Sequence, residues 1–99
     1  MSGKAGYVYI LRPIGTTGIY KIGCTVNLDR RLAEHNSRPR GETRPVPLME
    51  YIAFIFSQDC EWAEQVAHAR FGNYKICHEW YALPDSVIES IKAEAAQNA

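Results

Sequence analysis

The sequence has little cysteine, no net charge and no long apolar run, and each shortage removes a class of protein. No stretch approaches the roughly 20 consecutive apolar residues that a membrane-spanning helix needs. The opening residues Met1-Ser2-Gly3-Lys4-Ala5-Gly6 have no apolar segment of the secretory-signal kind, so a cytoplasmic protein is expected. The three cysteines, Cys24, Cys60 and Cys77, are odd in number and widely spaced. That speaks against a disulfide framework and against a zinc site of Cys-x-x-Cys type. Cys77-His78 is a pair of metal-ligating types, but no ligand set completes it. No internal repeat or linker interrupts the 99 residues, and one domain over 1–99 is expected. An apolar fraction of 46% is ordinary for a globular chain and allows a small core.

The zero net charge conceals an asymmetry. From Met1 to Arg44, Lys and Arg number 8 against 3 Asp and Glu, and from Pro45 to Ala99 the count is 3 against 8. A basic half beside an acidic half fits a phosphate-binding face with a separate acidic, metal-binding spot. It also fits two helices with solvated charges.

Tyr7 to Leu11 is aromatic and β-branched, as strands prefer. Pro13 and Gly15-Thr16-Thr17-Gly18 mark a loop, and Ile19 to Gly23 is a second strand that pairs with the first. Asn27 is a good N-cap for a helix that ends near Asn36, with Leu28, Leu32 and His35 at helical spacing. Ser37 to Pro47 holds Pro39, Gly41, Pro45 and Pro47 with Arg38, Arg40 and Arg44 among them, and reads as a basic loop. Met49 to Phe56 is a third strand, expected in the interior of the sheet. Asp59 caps a second helix, on which Trp62, Val66 and Ala69 or Arg70 trace one stripe and Glu61, Glu64 and His68 another; Gly72-Asn73 ends it. Glu79 to Leu83 is a short extended stretch. Pro84 and Asp85 open a last helix with Val87, Ile88 and Ile91 facing inward. The order β-β-α-β-α-(β)-α predicts an α+β fold, a small three-stranded antiparallel sheet flanked by helices.

Phosphodiester hydrolysis needs a base for water, a cation on the scissile phosphate, and a positive group for the charge of the transition state. Tyr9 in the first strand, and Tyr20 and Lys21 in the second, offer groups for the first service. An ordinary tyrosine, with a pKa of about 10, is a poor base at neutral pH; Lys21, Arg31 and a bound metal would favour its phenolate. Tyrosines in strands are also ordinary packing residues. Arg31 and His35, at i and i+4, project from one helical face. The arginine fork suits phosphate, and the histidine can orient water. Their plainer reading is a solvated face beside Asp29 and Glu34. Arg30 is a general DNA contact or merely exposed. Glu64 and His68 are again i and i+4. One carboxylate with phosphate oxygens and waters is an ordinary Mg²⁺ environment, Glu61 is an alternative ligand, and a solvated helix face is the commoner use. No second carboxylate builds a two-metal site.

Along most of its length, roughly Gly6 to Leu83, the chain resembles the GIY-YIG nuclease domain superfamily, in its small phage T5-type branch. Tyr7-Val8-Tyr9 stands where that family has Gly-Ile-Tyr, and Lys21-Ile22-Gly23 where it has Tyr-Ile-Gly. Arg31 stands at its helical arginine, and His35 at a histidine some members use. Glu64 in Glu-Gln-Val-Ala-His resembles its metal-binding glutamate, and His78-Glu79-Trp80-Tyr81 a Glu-Trp-Phe-like segment. The resemblance implies a metal-dependent DNA endonuclease. Glu64 would hold one Mg²⁺ or Mn²⁺, Tyr9 would be the general base, Arg31 would stabilise the phosphate, and the product would carry a 5′ phosphate and a 3′ hydroxyl. In strict register Lys21 replaces the second signature tyrosine and Tyr20 is displaced by one. Adjacent strand residues face opposite ways, so one of the two serves the site, and Lys21 is favoured. Where many members place an asparagine, the chain offers Glu79 and, earlier, Asn73, and neither matches well.

The expected partner is DNA, contacted by Arg30, Arg38, Arg40 and Arg44, with no membrane. A homodimer or a specificity-giving protein would supply sequence preference. Two other readings stand beside the nuclease: a catalytically inactive nucleic-acid-binding module of the same fold, and an α+β interaction domain with no nucleic-acid role.

Overall fold

A computed structural model describes residues 3–37 and 48–98. Within them the order is β1 (Gly6–Pro13), β2 (Tyr20–Thr25), α1 (Leu28–Asn36), β3 (Met49–Ser57), α2 (Cys60–Arg70), a 3₁₀ turn (Gly72–Tyr74), β4 (Lys75–Cys77), β5 (Trp80–Tyr81) and α3 (Asp85–Gln97). The class is α+β. The sheet has five strands in the order β3-β1-β2-β5-β4, all antiparallel, rather than the three expected. The extra pair, β4 and β5, has three and two residues, too few for alternation to register in a sequence. The third strand is an edge of the sheet and not its interior. The interior place belongs to β1, which pairs along its length with both β2 and β3.

Directly opposed residues of antiparallel strands share a face, so the register assigns the two faces. Ile10, Tyr20, Ile22, Ala53 and Tyr81 point to one face, where they form the core with Phe71, Leu83, Ile88 and Ile91. That face is covered by α2 and α3. Tyr7, Tyr9, Lys21, Gly23, Phe54 and Phe56 share the other face by the same pairing. A bulge interrupts it: Ile10 pairs with Ala53 but Leu11 pairs with Tyr51. The extra residue, Ile52, packs against the core, and Tyr51 is thereby turned to the Tyr9 side, a common use of bulges.

Local signals place the helices. The Asn27 side chain accepts from the Arg30 amide at 2.9 Å, and that of Asp59 from the Trp62 amide at 3.1 Å. The β1–β2 loop turns on Gly15 and Gly18, both at positive φ. On α2 the apolar stripe lies outward, with Trp62 63% exposed. The Glu64 and His68 stripe lies half-buried toward β2.

Candidate functional site

Tyr9 occupies the centre of the face opposite the main core. It is 2% exposed, its ring centroid lies 5.3 Å from that of Tyr51, and its hydroxyl lies 3.3 Å from His35 Nε2. Beneath that hydroxyl is Gly23. A Cβ at this position would come within 2.5 Å of the oxygen, nearer than atoms approach without displacement. Only glycine leaves room for the phenol here. Helix α1 brings His35 and Arg31 over the strand, and it is anchored from below, where the Tyr51 hydroxyl donates to Leu28 O at 2.8 Å.

Burial pushes the Tyr9 phenol up to about 12, outweighing the opposing pull of Arg31, while Glu79, Tyr51 and Glu64 push the same way as burial. Arg31 does draw Tyr9 toward phenolate, as the sequence reading has it, but in the chain by itself burial outweighs that one cation and Tyr9 keeps its proton. His35 moves the other way. Burial, then Lys21 and Arg31, hold its imidazole below the ordinary value, with Glu79 and Glu34 opposing. A protonated phenol thus faces a neutral imidazole.

Glu64 sits where β2 loses its strand partner. β5 pairs with β2 at Tyr20 and Lys21. Beyond them the Ile22 amide donates to Glu79 O at 3.1 Å, and the Ile22 carbonyl lies 3.1 Å from His68 Nε2, which donates to it. The Glu64 carboxylate lies along this open edge. Its Oε1 accepts from the Cys24 thiol at 3.2 Å, and its Oε2 is 3.6 Å from His68 Nε2. Burial and the bond to Glu64 hold the Cys24 thiol well above its ordinary value, so it stays protonated. The Tyr81 hydroxyl is buried without a hydrogen-bond partner among the described residues. Its phenol is pushed up by burial and by the charges of Glu79 and Glu64.

The structure thus gathers Tyr9, Arg31 and His35 around one hydroxyl, with Lys21 acting on His35 and Glu64 at the adjoining edge. Tyr20 goes elsewhere: it is buried in the main core, where alternation sends it when Lys21 faces the site. Arg31 Nε is 3.4 Å from Glu34 Oε1, and Arg30 is exposed. Arg38, Arg40 and Arg44 lie outside the described residues. Glu79 has more to do with the site than its sequence context indicated, since its charge acts on Tyr9, His35 and Tyr81. In the sequence it stood out only through the resemblance, within His78-Glu79-Trp80-Tyr81 and where many members have an asparagine; in the fold its neighbour Trp80 pairs with Lys21. Asn73 is exposed in the turn after α2.

The donor set fits one hard, hydrated cation. Glu64 is a single half-buried carboxylate, the kind of ligand that Mg²⁺ combines with waters and phosphate oxygens. It offers no zinc ligand set, since the described residues contain no group of three or more metal-ligating side chains.

The family profile described as the T5orf172 domain matches residues 6–96. No curated protein and no solved structure matches the chain. No helix among the described residues is long and apolar enough to cross a membrane.

Proposed function

The chain belongs to the T5orf172 domain family, and from that premise and the geometry of the Tyr9 face we propose that it is a metal-dependent DNA endonuclease of the GIY-YIG type. It hydrolyses phosphodiester bonds with one divalent ion and Tyr9 as general base. The observation that carries the reading is the Tyr9 hydroxyl held over bare Gly23, 3.3 Å from His35 Nε2, in the field of Arg31.

A phenol that titrates near 12 takes a proton from water only by passing on its own. His35 is neutral and in reach. With the imidazole proton on Nδ1, Nε2 accepts the phenol proton while the phenol oxygen takes one from water. The hydroxide adds to phosphorus, the P–O3′ bond breaks, O3′ takes a proton from solvent water and His35 returns its proton to solvent, giving a 5′ phosphate and a 3′ hydroxyl. Arg31 holds a non-bridging oxygen. Its present pairing with Glu34 is solvent-exposed, so exchanging it for phosphate costs about 0–1 kcal/mol. Lys21 adds positive charge on the same face. Glu64 would hold the Mg²⁺ or Mn²⁺, which when bound supplies Lewis-acid stabilisation of the phosphate charge.

One observation favours the alternative, a catalytically inactive nucleic-acid-binding module. Both Glu64 oxygens are already approached by neighbours, Cys24 at 3.2 Å and His68 at 3.6 Å. A cleavage assay on plasmid and short oligonucleotides separates the readings. Wild type and Glu64→Ala are compared in Mg²⁺, Mn²⁺ and EDTA. The nuclease reading expects metal-dependent cutting that Glu64→Ala abolishes while DNA binding survives. Salt-sensitive binding without cutting of any substrate would select the inactive module.

A further inference from the structure

Helix α1 covers only part of the Tyr9 face. The rest is bare and aromatic: Phe54 is 46% exposed and Phe56 49%, with Tyr7 half-buried between them. These rings are not an isolated patch. From Tyr9 the ring centroids step 5.3 Å to Tyr51, 6.1 Å to Phe54, 5.9 Å to Tyr7 and 5.6 Å to Phe56. One continuous row of aromatic rings therefore runs from the buried candidate base to the solvent-exposed end of the sheet. Each step is edge-to-face, with interplanar angles of 61° to 89°, so no ring face is used up by parallel stacking on its neighbour. At the far end the rings border a groove of about 450 Å³, closed on its other side by Ala95, Ala96 and Asn98 of the α3 terminus. No charged side chain lines it.

We propose that the open end of this row, Tyr7, Phe54 and Phe56, is a stacking track for unpaired nucleobases, and that the substrate is a DNA strand whose nucleotides beside the cleaved phosphate are not in duplex: a flap, a fork or a single-stranded end. The inference rests on reading the Tyr9 face as a nucleic-acid site. The division of charge supports it. His35 lies 3.3 Å from the Tyr9 hydroxyl and Arg31 acts on it, with Lys21 acting on His35, so a phosphate would lie there, whereas the uncharged rings beyond have nothing for a phosphate and suit the flat faces of bases. A base in a continuous duplex is already stacked on both faces and does not present one to the sheet. Stacking on aromatic rings adds about 1–3 kcal/mol per base with little regard to sequence.

The test measures fluorescence anisotropy of the full chain with labelled oligothymidylate and with a duplex of equal length. It is run in EDTA, so that nothing is cut. The variants are Phe54→Leu/Phe56→Leu, which keeps apolar area and removes the ring faces, and Phe54→Trp/Phe56→Trp, which keeps them. The leucine variant is expected to lose about tenfold or more of its single-strand affinity relative to duplex, and the tryptophan variant to keep it. Thermal melts identify any loss due to misfolding. Equal single-strand binding by wild type and the leucine variant overturns the proposal. So does a wild type that does not bind the single strand, or a change of mass in light scattering between wild type and the leucine variant, which would make the rings a contact between protein copies. The nuclease reading fails separately. Ring-dependent binding without any metal-dependent cutting removes the enzyme and keeps the track, and cutting that is indifferent to the rings does the reverse.

Discussion

At the scale of single residues, the site depends on one phenol and what surrounds it. A group whose pKa is raised by folding stabilises the fold while it keeps its proton, and the benefit is lost as pH climbs through the raised value. For Tyr9 the window runs from the ordinary value of about 10 up to about 12. Wild type is therefore expected to lose thermal stability more steeply across that alkaline window than Tyr9→Phe, in melts followed by circular dichroism. His35 has the opposite sign. Its imidazole is held neutral, so stability is lost as pH falls below about 6.5, the ordinary histidine value, and His35→Gln should flatten that acid limb. Gly23→Ala puts a Cβ within 2.5 Å of the Tyr9 oxygen. It should cost about 1–3 kcal/mol as an overpacking change and shift the Tyr9 titration. An alanine variant with wild-type stability and titration would show that the phenol does not rest on Gly23.

At the scale of elements, α1 is the part of the site most weakly held. It has no fully buried residue, and it is held by the Asn27 cap and by two bonds from β3, the Tyr51 hydroxyl on Leu28 O and the Met49 amide, which donates to the Asn36 side chain at 2.7 Å. Asn27→Ala is expected to cost about 1 kcal/mol, or roughly 4–8 °C in a domain of this size. Amide exchange should speed up along α1 before it does in β1. Uniform acceleration across the sheet would mean instead that α1 is integral to the cooperative core.

At the scale of the whole molecule, the sheet separates the main core from the Tyr9 face, while Glu64 belongs to α2 on the core side and bonds Cys24. The face under α2 and α3 carries the hydrophobic cluster, and the face under α1 carries Tyr9, Lys21, Arg31 and His35. Ile91→Ala, on the core side, should cost about 2–5 kcal/mol. Trp62→Ser, although it removes the largest apolar side chain of α2, should stay within about 0.5 kcal/mol because the ring is mostly in solvent. A chemical-denaturation midpoint for each variant checks the contrast, and a Trp62 loss as large as that of Ile91 would mean that the outward stripe is packed.

The sequence by itself determined the elements whose causes are local. Asn27 and Asp59 announced the two caps, and the aromatic run of β1, the paired glycines of its loop and the inward Ile88 and Ile91 were all readable within a few residues. Spacing also offered Arg31 with His35 and Glu64 with His68 as i, i+4 pairs, and the resemblance to the GIY-YIG superfamily marked Tyr9, Arg31, His35 and Glu64 as the site. Tertiary structure alone decided the rest. β5 falls within the extended stretch Glu79 to Leu83 read from the sequence, but β4 is too short to have a period, and both are in the sheet because β2 offers an edge. β3 lies outside and not inside because β1 pairs on both sides. Lys21 rather than Tyr20 meets the site because register assigns the faces, and Glu79 arrives through the Trp80–Lys21 pairing. The state of Tyr9 was the least legible, since counting nearby cations predicts a lowered pKa, whereas burial, a property of the packed sheet and of no single residue, raises it.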